Sequence, residues 1–424
     1  MTGSGSPAGQ ALPPTVPPKP GAIDPRTAWA RIAAVTAPLP AESLPLSAAA
    51  GRWTAGDLHA RLSLPHDTNS AMDGFAVRAC ESPYAAAPIA GESRAGAPFD
   101  GQAPAGAVLR IATGAALPEP FDAVVPIELA DVDELAGTVH LPAAKPGAHV
   151  RRAGEDVRAG DLLAAAGTRL AANHLVALAA AGVAEVPAVR RPVVSIVVTG
   201  DELVAPGQTP AHGQVIDVHG TALPALVRAA GGRIGELCHA DDRRGDLAAL
   251  LGRLAPADVV VITGGLSVGR HDHTRAALAD CGAELIVERL LMRPGQPTAV
   301  ARSADSGRLW FGLPGNPVSA YVVATLLLLP AIARLAGDRG AELVPRAARL
   351  RDAVLPDPRR WLALRAELDT AGDGGAEVVV LDGQASHMMG DLARADRLAL
   401  VPPGNVPLAA GDEVAVVVLP GVER

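Results

Sequence analysis

Aromatic side chains are almost missing from this sequence: four Trp, two Tyr and four Phe among 424 residues. Hydrophobic residues still make up 49% of it, so the cores must be built from Ala, Val and Leu. At roughly 100–200 residues per domain, two to four such cores are expected. Cysteine is scarce too. Cys80, Cys238 and Cys281 are odd in number and form no C-x-x-C pair. That excludes a disulfide framework and fits a reducing cytoplasm. Lysine is reduced to Lys19 and Lys145, and the net charge is −8. A chain so acidic lacks the basic stripe that a nucleic-acid surface needs. Its positive charge is nearly all arginine, which suits fixed, bidentate anion contacts, although a compositional bias is the plainer source of the excess.

Long apolar runs are lacking as well. The most apolar stretch, "YVVATLLLLPAIARL" at 321–335, is short for a membrane span and carries Pro330 and Arg334. It reads as a buried helix. Residues 1–21 are rich in Gly, Ser and Pro with no apolar centre, so they are neither signal peptide nor anchor. A disordered tail is expected there.

What is present falls into three textures. Asp24 and Pro25 form a helix-start signal, and the pattern predicts a helix over 25–35. Between residues 58 and 141, short apolar runs such as "DGFAVRA", "AVLRIATG" and "DAVVPIE" are cut by Gly and Pro, which predicts a compact all-β insert. A helix is expected over 173–181, ending at Gly182. From Arg191 onward, continuous β-branched runs alternate with helical segments near 221–230, 246–254 and 274–280. That is the pattern of a parallel sheet covered on both faces. Past about Val344, "AEVVVLDG", "RLALVPPG" and "GDEVAVVVL" predict a small closing β-domain.

Three strand ends in the middle segment share one grammar. Val198 runs into Thr199-Gly200-Asp201-Glu202, Ile262 into Thr263-Gly264-Gly265, and Phe311 into Gly312-Leu313-Pro314-Gly315-Asn316-Pro317. In an open parallel sheet these carboxyl ends lie along one edge, where ligands bind. Exposed backbone N–H groups and helix N-termini there favour an anion. "TGGLSVG" is neither a Walker A loop nor a G-x-G-x-x-G fingerprint, and any one loop alone is simply a tight turn. Three on one edge make a site.

Acidic residues crowd the same edge: Glu202, Asp242 and Asp272 each follow a predicted strand end. Carboxylates facing a phosphate repel it unless a cation lies between, and magnesium, with its hard oxygen ligands, is the natural choice. Each of the three could equally be a helix N-cap or a solvated carboxylate. His271 and His273 flank Asp272 at a spacing that suits no common zinc site on a helix. In "SLPHDTNSAMDGFAV", 63–77, Asn69, Ser70 and Asp73 crowd a turn closing at Gly74, and a well-capped turn explains that stretch without any ligand.

Taken in order, "SAMDGFAV", "TGAALPEPFDAVVPIE", "GEDVRAGD", "VVTGDEL", "GGLSVGRHD", "PGQP" and "GLPGNPVSA" resemble the molybdopterin molybdenumtransferase (MoeA-like) family, also seen in the carboxy-terminal part of gephyrin. The resemblance runs from about residue 22 to the end. It implies a multidomain α/β fold. The domains would be a discontinuous linker domain at 22–60 and 145–190, a β-rich insert at 61–144, a three-layer α/β molybdopterin-binding domain at 191–336, and a β-barrel-like domain at 341–424. It also implies a cytoplasmic homodimer with a composite active site, in transient contact with other cofactor-biosynthesis proteins.

The reaction implied is insertion of molybdate into adenylated molybdopterin, with magnesium-dependent release of AMP. The family's acids fall on Asp73, Asp156, Glu202 and Asp272, with one of the pair Asp241/Asp242; Asp242 is taken here, and its polar turn gives Thr113. The metal set would be Glu202, Asp242 and Asp272. The pterin-phosphate cradle would be Gly264, Gly265, Ser267, Gly315 and Asn316, extended by Thr199, Gly200, Arg293 and Pro314. The family usually has lysines where this chain has Arg293 and Gln296, so one charge is kept and one lost. Two rival functions are a gephyrin-like scaffold without catalysis and a stand-alone adenylyltransferase within 191–336.

Overall fold

The computed structural model describes residues 21–240, 244–254, 256–266, 273–342, 345–369 and 377–421. Of the sequence expectations, the tail up to residue 20 and the positions Asp241, Asp242, Ser267, His271 and Asp272 lie outside the described residues. The chain divides into two compact units, Glu42–Ala188 and the remainder.

In the larger unit the central sheet has six strands in the order Arg233–Ala240, Val193–Thr199, Val259–Thr263, Leu309–Leu313, Ala299–Ser303, Ala283–Val287. The first four are parallel, with Val198 level with Thr263 and Thr263 level with Leu313. Alternate residues of one strand feed two separate cores. Val259 and Val261 pack with Leu223, Val227 and the helix Pro317–Leu335, whereas Val260 and Ile262 pack with Leu247, Leu251 and Leu278. Burial on both faces is why these strands read as unbroken apolar runs. The long helix is the only one among the described residues with the length and apolarity to cross a membrane, and most of it is buried here. A π-helical stretch, Ala324–Leu328, precedes Pro330, which has no N–H to continue an α-helical ladder.

The sheet departs from the all-parallel expectation at one edge. Ala299–Ser303 runs antiparallel to both neighbours. The cause is local: Ser303 N–H donates to the Arg308 carbonyl at 2.9 Å, and so short a connection can join only antiparallel strands.

The helix at the N-terminal end is Pro25–Ala34, capped by Asp24, whose Oδ1 accepts from the Arg26 and Thr27 N–H groups. It lays Ala28, Trp29 and Ile32 on the core of the central sheet, each larger side chain contributing about 1.5–3 kcal/mol. Just before it, Ala22–Ile23 pairs in parallel with Arg289–Leu290. The C-terminal β-domain closes on itself. Trp361–Asp369 pairs with both Glu377–Val380 and Arg397–Val401, and Arg346–Leu350 and Glu413–Val418 complete the ring.

The unit Glu42–Ala188 carries a six-stranded sheet centred on Gly74–Val77, which pairs with Val108–Ile111 and Ala123–Pro126. These are the three runs that the sequence marks as an all-β insert. Both faces are covered, Phe75 and Val77 on one side and Ala76 on the other. A second core, from Leu46, Leu58, Leu170, Leu178 and Val186, includes the helix Ala172–Ala180.

Candidate functional site

The carboxyl ends of three adjacent parallel strands open on one cleft of about 780 Å³. Thr199, Glu202, Gly264, Gly265, Pro314, Gly315 and Asn316 all line it. The paired glycines are required sterically. Gly264 and Gly265 have φ of +86° and +63°, a region that side chains other than glycine's rarely enter. A Cβ on Gly264 would stand 2.6 Å from Thr199 Oγ1, and one on Gly265 would stand 2.5 Å from Thr274 Oγ1. Those hydroxyls are committed, Thr199 to the Thr263 carbonyl at 2.8 Å and Thr274 to the Gly264 carbonyl at 3.0 Å. With the carbonyls held from behind, the N–H groups of Gly265, Gly315 and Asn316 meet no acceptor among the described residues. Unpaired N–H groups at a strand edge form an anion-binding concavity.

Other segments complete the walls. Past the short strand pair Leu203–Val204 and Val215–Ile216, the chain turns at Asp217. Its Oδ1 accepts from Gly220 N–H at 2.9 Å, and its Oδ2 lies 2.9 Å from His239 Nε2. Burial alone would push this carboxyl up. The hydrogen bonds from Gly220 and His239 outweigh it and hold Asp217 below its ordinary value. Two residues on, buried His219 places Nε2 2.8 Å from the Gly315 carbonyl. Arg289, fixed by the strand pairing at Ala22, supplies a cation with no partner among the described residues.

His387 and Met389 reach the cleft from the β-domain. Arg365, 1% exposed, donates to the Gly383 and Ala385 carbonyls, and Gln384 bonds the Arg365 backbone in both directions. Burial lowers the Arg365 guanidinium, and Asp391 opposes the effect. This clamp sets the loop from which Ser386 Oγ meets Asn316 Nδ2 at 3.3 Å.

In the Glu42–Ala188 unit the structure brings Asp73 and Thr113 together. Asp73 Oδ1 accepts from the Thr113 N–H at 2.6 Å and from its hydroxyl at 2.8 Å. These two bonds hold the exposed Asp73 carboxyl below its ordinary value. Asp156 sits in a separate exposed turn, where its N–H donates to the Leu64 carbonyl at 3.1 Å.

Of the cradle residues expected from sequence, Gly200 and Arg293 do not line the cleft, although Gln296 does. Arg293 instead lies on the short strand that pairs with Trp361–Leu362. Sequence reasoning missed Asp217, His219, Arg289, Arg365 and His387. Among the described residues no group of three His, Cys, Asp or Glu side chains is placed to hold a metal. Glu202 is the described member of the expected metal set, and its exposed carboxylate has no partner among the described residues.

The class is therefore a multidomain α/β protein with a cleft at the carboxyl edge of its sheet, the place where such sheets take ligands. Three family models match consecutive stretches. They are the MoeA N-terminal region (domains I and II) over 23–182, the probable molybdopterin binding domain over 195–334, and the MoeA C-terminal region (domain IV) over 347–419. A molybdopterin molybdenumtransferase of Haemophilus influenzae is 32% identical, covering 89% of this chain and 94% of its own. Molybdopterin molybdenumtransferase 2 of Mycobacterium tuberculosis is 35% identical over 88% and 94%. The crystal structure of a molybdopterin biosynthesis MoeA protein from Pyrococcus horikoshii superposes with a TM-score of 0.79 at 29% identity, covering 95% of this chain and 100% of that one. The chain belongs to the molybdopterin molybdenumtransferase family, enzymes of molybdenum-cofactor biosynthesis.

Proposed function

We propose that the protein takes adenylated molybdopterin and molybdate and releases AMP and the molybdenum-loaded cofactor. The observation that carries this reading is the cleft itself: glycine-ended strands, the N–H groups of Gly265, Gly315 and Asn316 and the Arg289 guanidinium, none with a partner among the described residues, line one cavity. Such donors suit a phosphoanhydride and a tetrahedral oxyanion. Water adds to a phosphorus of the anhydride and the bridging P–O bond breaks. AMP leaves, and the other phosphate stays on molybdopterin. Two dithiol sulfurs bond to molybdenum with loss of one oxo group as water.

Glu202, Asp242 and Asp272 would hold magnesium, whose chemistry there is Lewis-acid polarisation of the phosphoryl oxygens. Glu202 is a hard oxygen donor at the cleft, which fits that ion. Asp73 and Thr113 would join from the second protomer of a homodimer, a two-fold arrangement that gives two equivalent sites.

The test is an assay of purified protein for AMP and for active cofactor. Both products should appear with magnesium and molybdate supplied, and AMP release should fall when either is omitted. If neither product forms with both present, the chain is a scaffold that kept the fold without the chemistry.

A further inference from the structure

We infer that His219 is a positioning residue for the anion cradle: its imidazole fixes the Gly315–Asn316 peptide so that the loop's N–H groups stay turned to the ligand. The inference rests on the proposed reading of the cleft as a phosphate site. His219 is 6% exposed, and it begins the helix His219–Ala229. Its Nε2 stands 2.8 Å from the Gly315 carbonyl, and both residues line the cleft. A carbonyl can only accept, so Nε2 carries the proton in either charge state of the ring.

In a trans peptide the carbonyl of Gly315 and the N–H of Asn316 point in opposite directions. Anchoring the carbonyl on His219 therefore fixes where the Asn316 N–H points, and that N–H has no acceptor among the described residues. The same loop is pinned on its other side. An ideal Cβ on Gly315 would lie 3.6 Å from Gly264 Cα, so the two cradle loops abut. His219 is itself held in place. Asp217, buried and two residues earlier, binds both the first turn of the helix at Gly220 and the strand end at His239. The sheet thus carries its order through Asp217 to His219 and on to the loop. Without the imidazole donor the Gly315 carbonyl would turn to water, and the peptide could flip its N–H away from the anion.

The experiment compares His219→Phe, which keeps a ring but no donor, with His219→Gln, whose amide nitrogen reaches about as far as Nε2. AMP is the probe, with its dissociation constant read by calorimetry, alongside amide hydrogen exchange at Gly315 and Asn316 in the full-length protein. Thermal unfolding verifies that each variant folds. The expected result is AMP binding weakened about tenfold in His219→Phe, the scale of one hydrogen bond lost from a preorganised site. Exchange at Gly315 and Asn316 should quicken in that variant, and His219→Gln should restore both readouts. Unchanged AMP binding in His219→Phe overturns the inference and leaves the proposed function standing. If the wild-type protein binds no AMP, the proposed function fails instead. Exchange then decides the inference: equal rates in wild type and His219→Phe sink it, and quickened rates reversed by His219→Gln support it.

Discussion

Asp73 and Glu202 are both carboxylates of the proposed reaction, yet the protein treats them in opposite ways. Asp73 is tied down: one oxygen accepts two hydrogen bonds from Thr113, and both residues sit at the ends of paired strands. Glu202 is left open, exposed at a cleft edge with no partner among the described residues. A carboxylate with one oxygen fixed by two hydrogen bonds is a well-aimed electrostatic group. One with free lone pairs is suited to hold a cation. Under the proposed function, the difference would give metal binding to the Glu202 side and orientation to the Asp73 side.

The largest effect should come from Glu202→Gln. The amide keeps the shape and loses the charge, so AMP release should fall on the order of 100-fold, while thermal stability barely moves because the residue is exposed. A wild-type rate would assign Glu202 to surface solvation and erase the contrast. Next in size is Gly264→Ala. A Cβ there meets Thr199 Oγ1 at 2.6 Å in a backbone conformation that disfavours side chains. A stability loss of about 1–3 kcal/mol in denaturant unfolding is expected, with anion binding lost at the same time. An unchanged midpoint would mean that the two loops are looser than the structure indicates.

A smaller effect should follow from Thr113→Val, which removes the hydroxyl bond to Asp73 and leaves the backbone one. Turnover should drop about fivefold, the scale of one hydrogen bond, with KM nearly unchanged. A change in KM alone would move Asp73 from orientation to substrate binding. The smallest effect is on titration. Asp73 is held below its ordinary value of 3.8 by the Thr113 backbone and hydroxyl bonds. A depressed folded-state value means that the bonds to Thr113 stabilise the fold above the ordinary value, and this contribution fades as pH falls through the folded one. NMR titration of the Asp73 carboxyl should show a midpoint below 3.8 that rises in Thr113→Val. An identical midpoint in the variant would deny the hydroxyl its part.

Half of this contrast was legible in the sequence, and the reason is periodicity. Val259–Thr263 is buried on both faces, so it spells an unbroken β-branched run, and the glycines that follow announce a loop with no room for side chains. Short apolar runs located the strand Gly74–Val77, whereas Asp73 is singled out only by the family resemblance. What stayed hidden depends on partners far along the chain. Asp217 and His219 follow a two-residue strand pair with no motif, and their importance lies in contacts to His239 and Gly315. Arg289 reaches the cleft because Ala22–Ile23 pairs beside it, a long-range register that no local pattern encodes. Arg365 reads as an ordinary charged residue in a strand, and only the closed β-domain buries it. Arg293, expected as a cradle cation from the family resemblance, lies on a short strand that pairs with the β-domain and is not among the residues that line the cleft.

The central claim is that the tied and the open carboxylate serve one reaction from two protomers. It is tested most directly by mixing Asp73→Ala protein with Glu202→Ala protein under conditions of subunit exchange, and assaying AMP release. In a mixed two-fold dimer one site carries both lesions and the other neither. Recovery of up to about half the normal activity per heterodimer is therefore predicted by symmetry. Verified heterodimers with no recovery would contradict the claim and place both carboxylates in a site built within one chain.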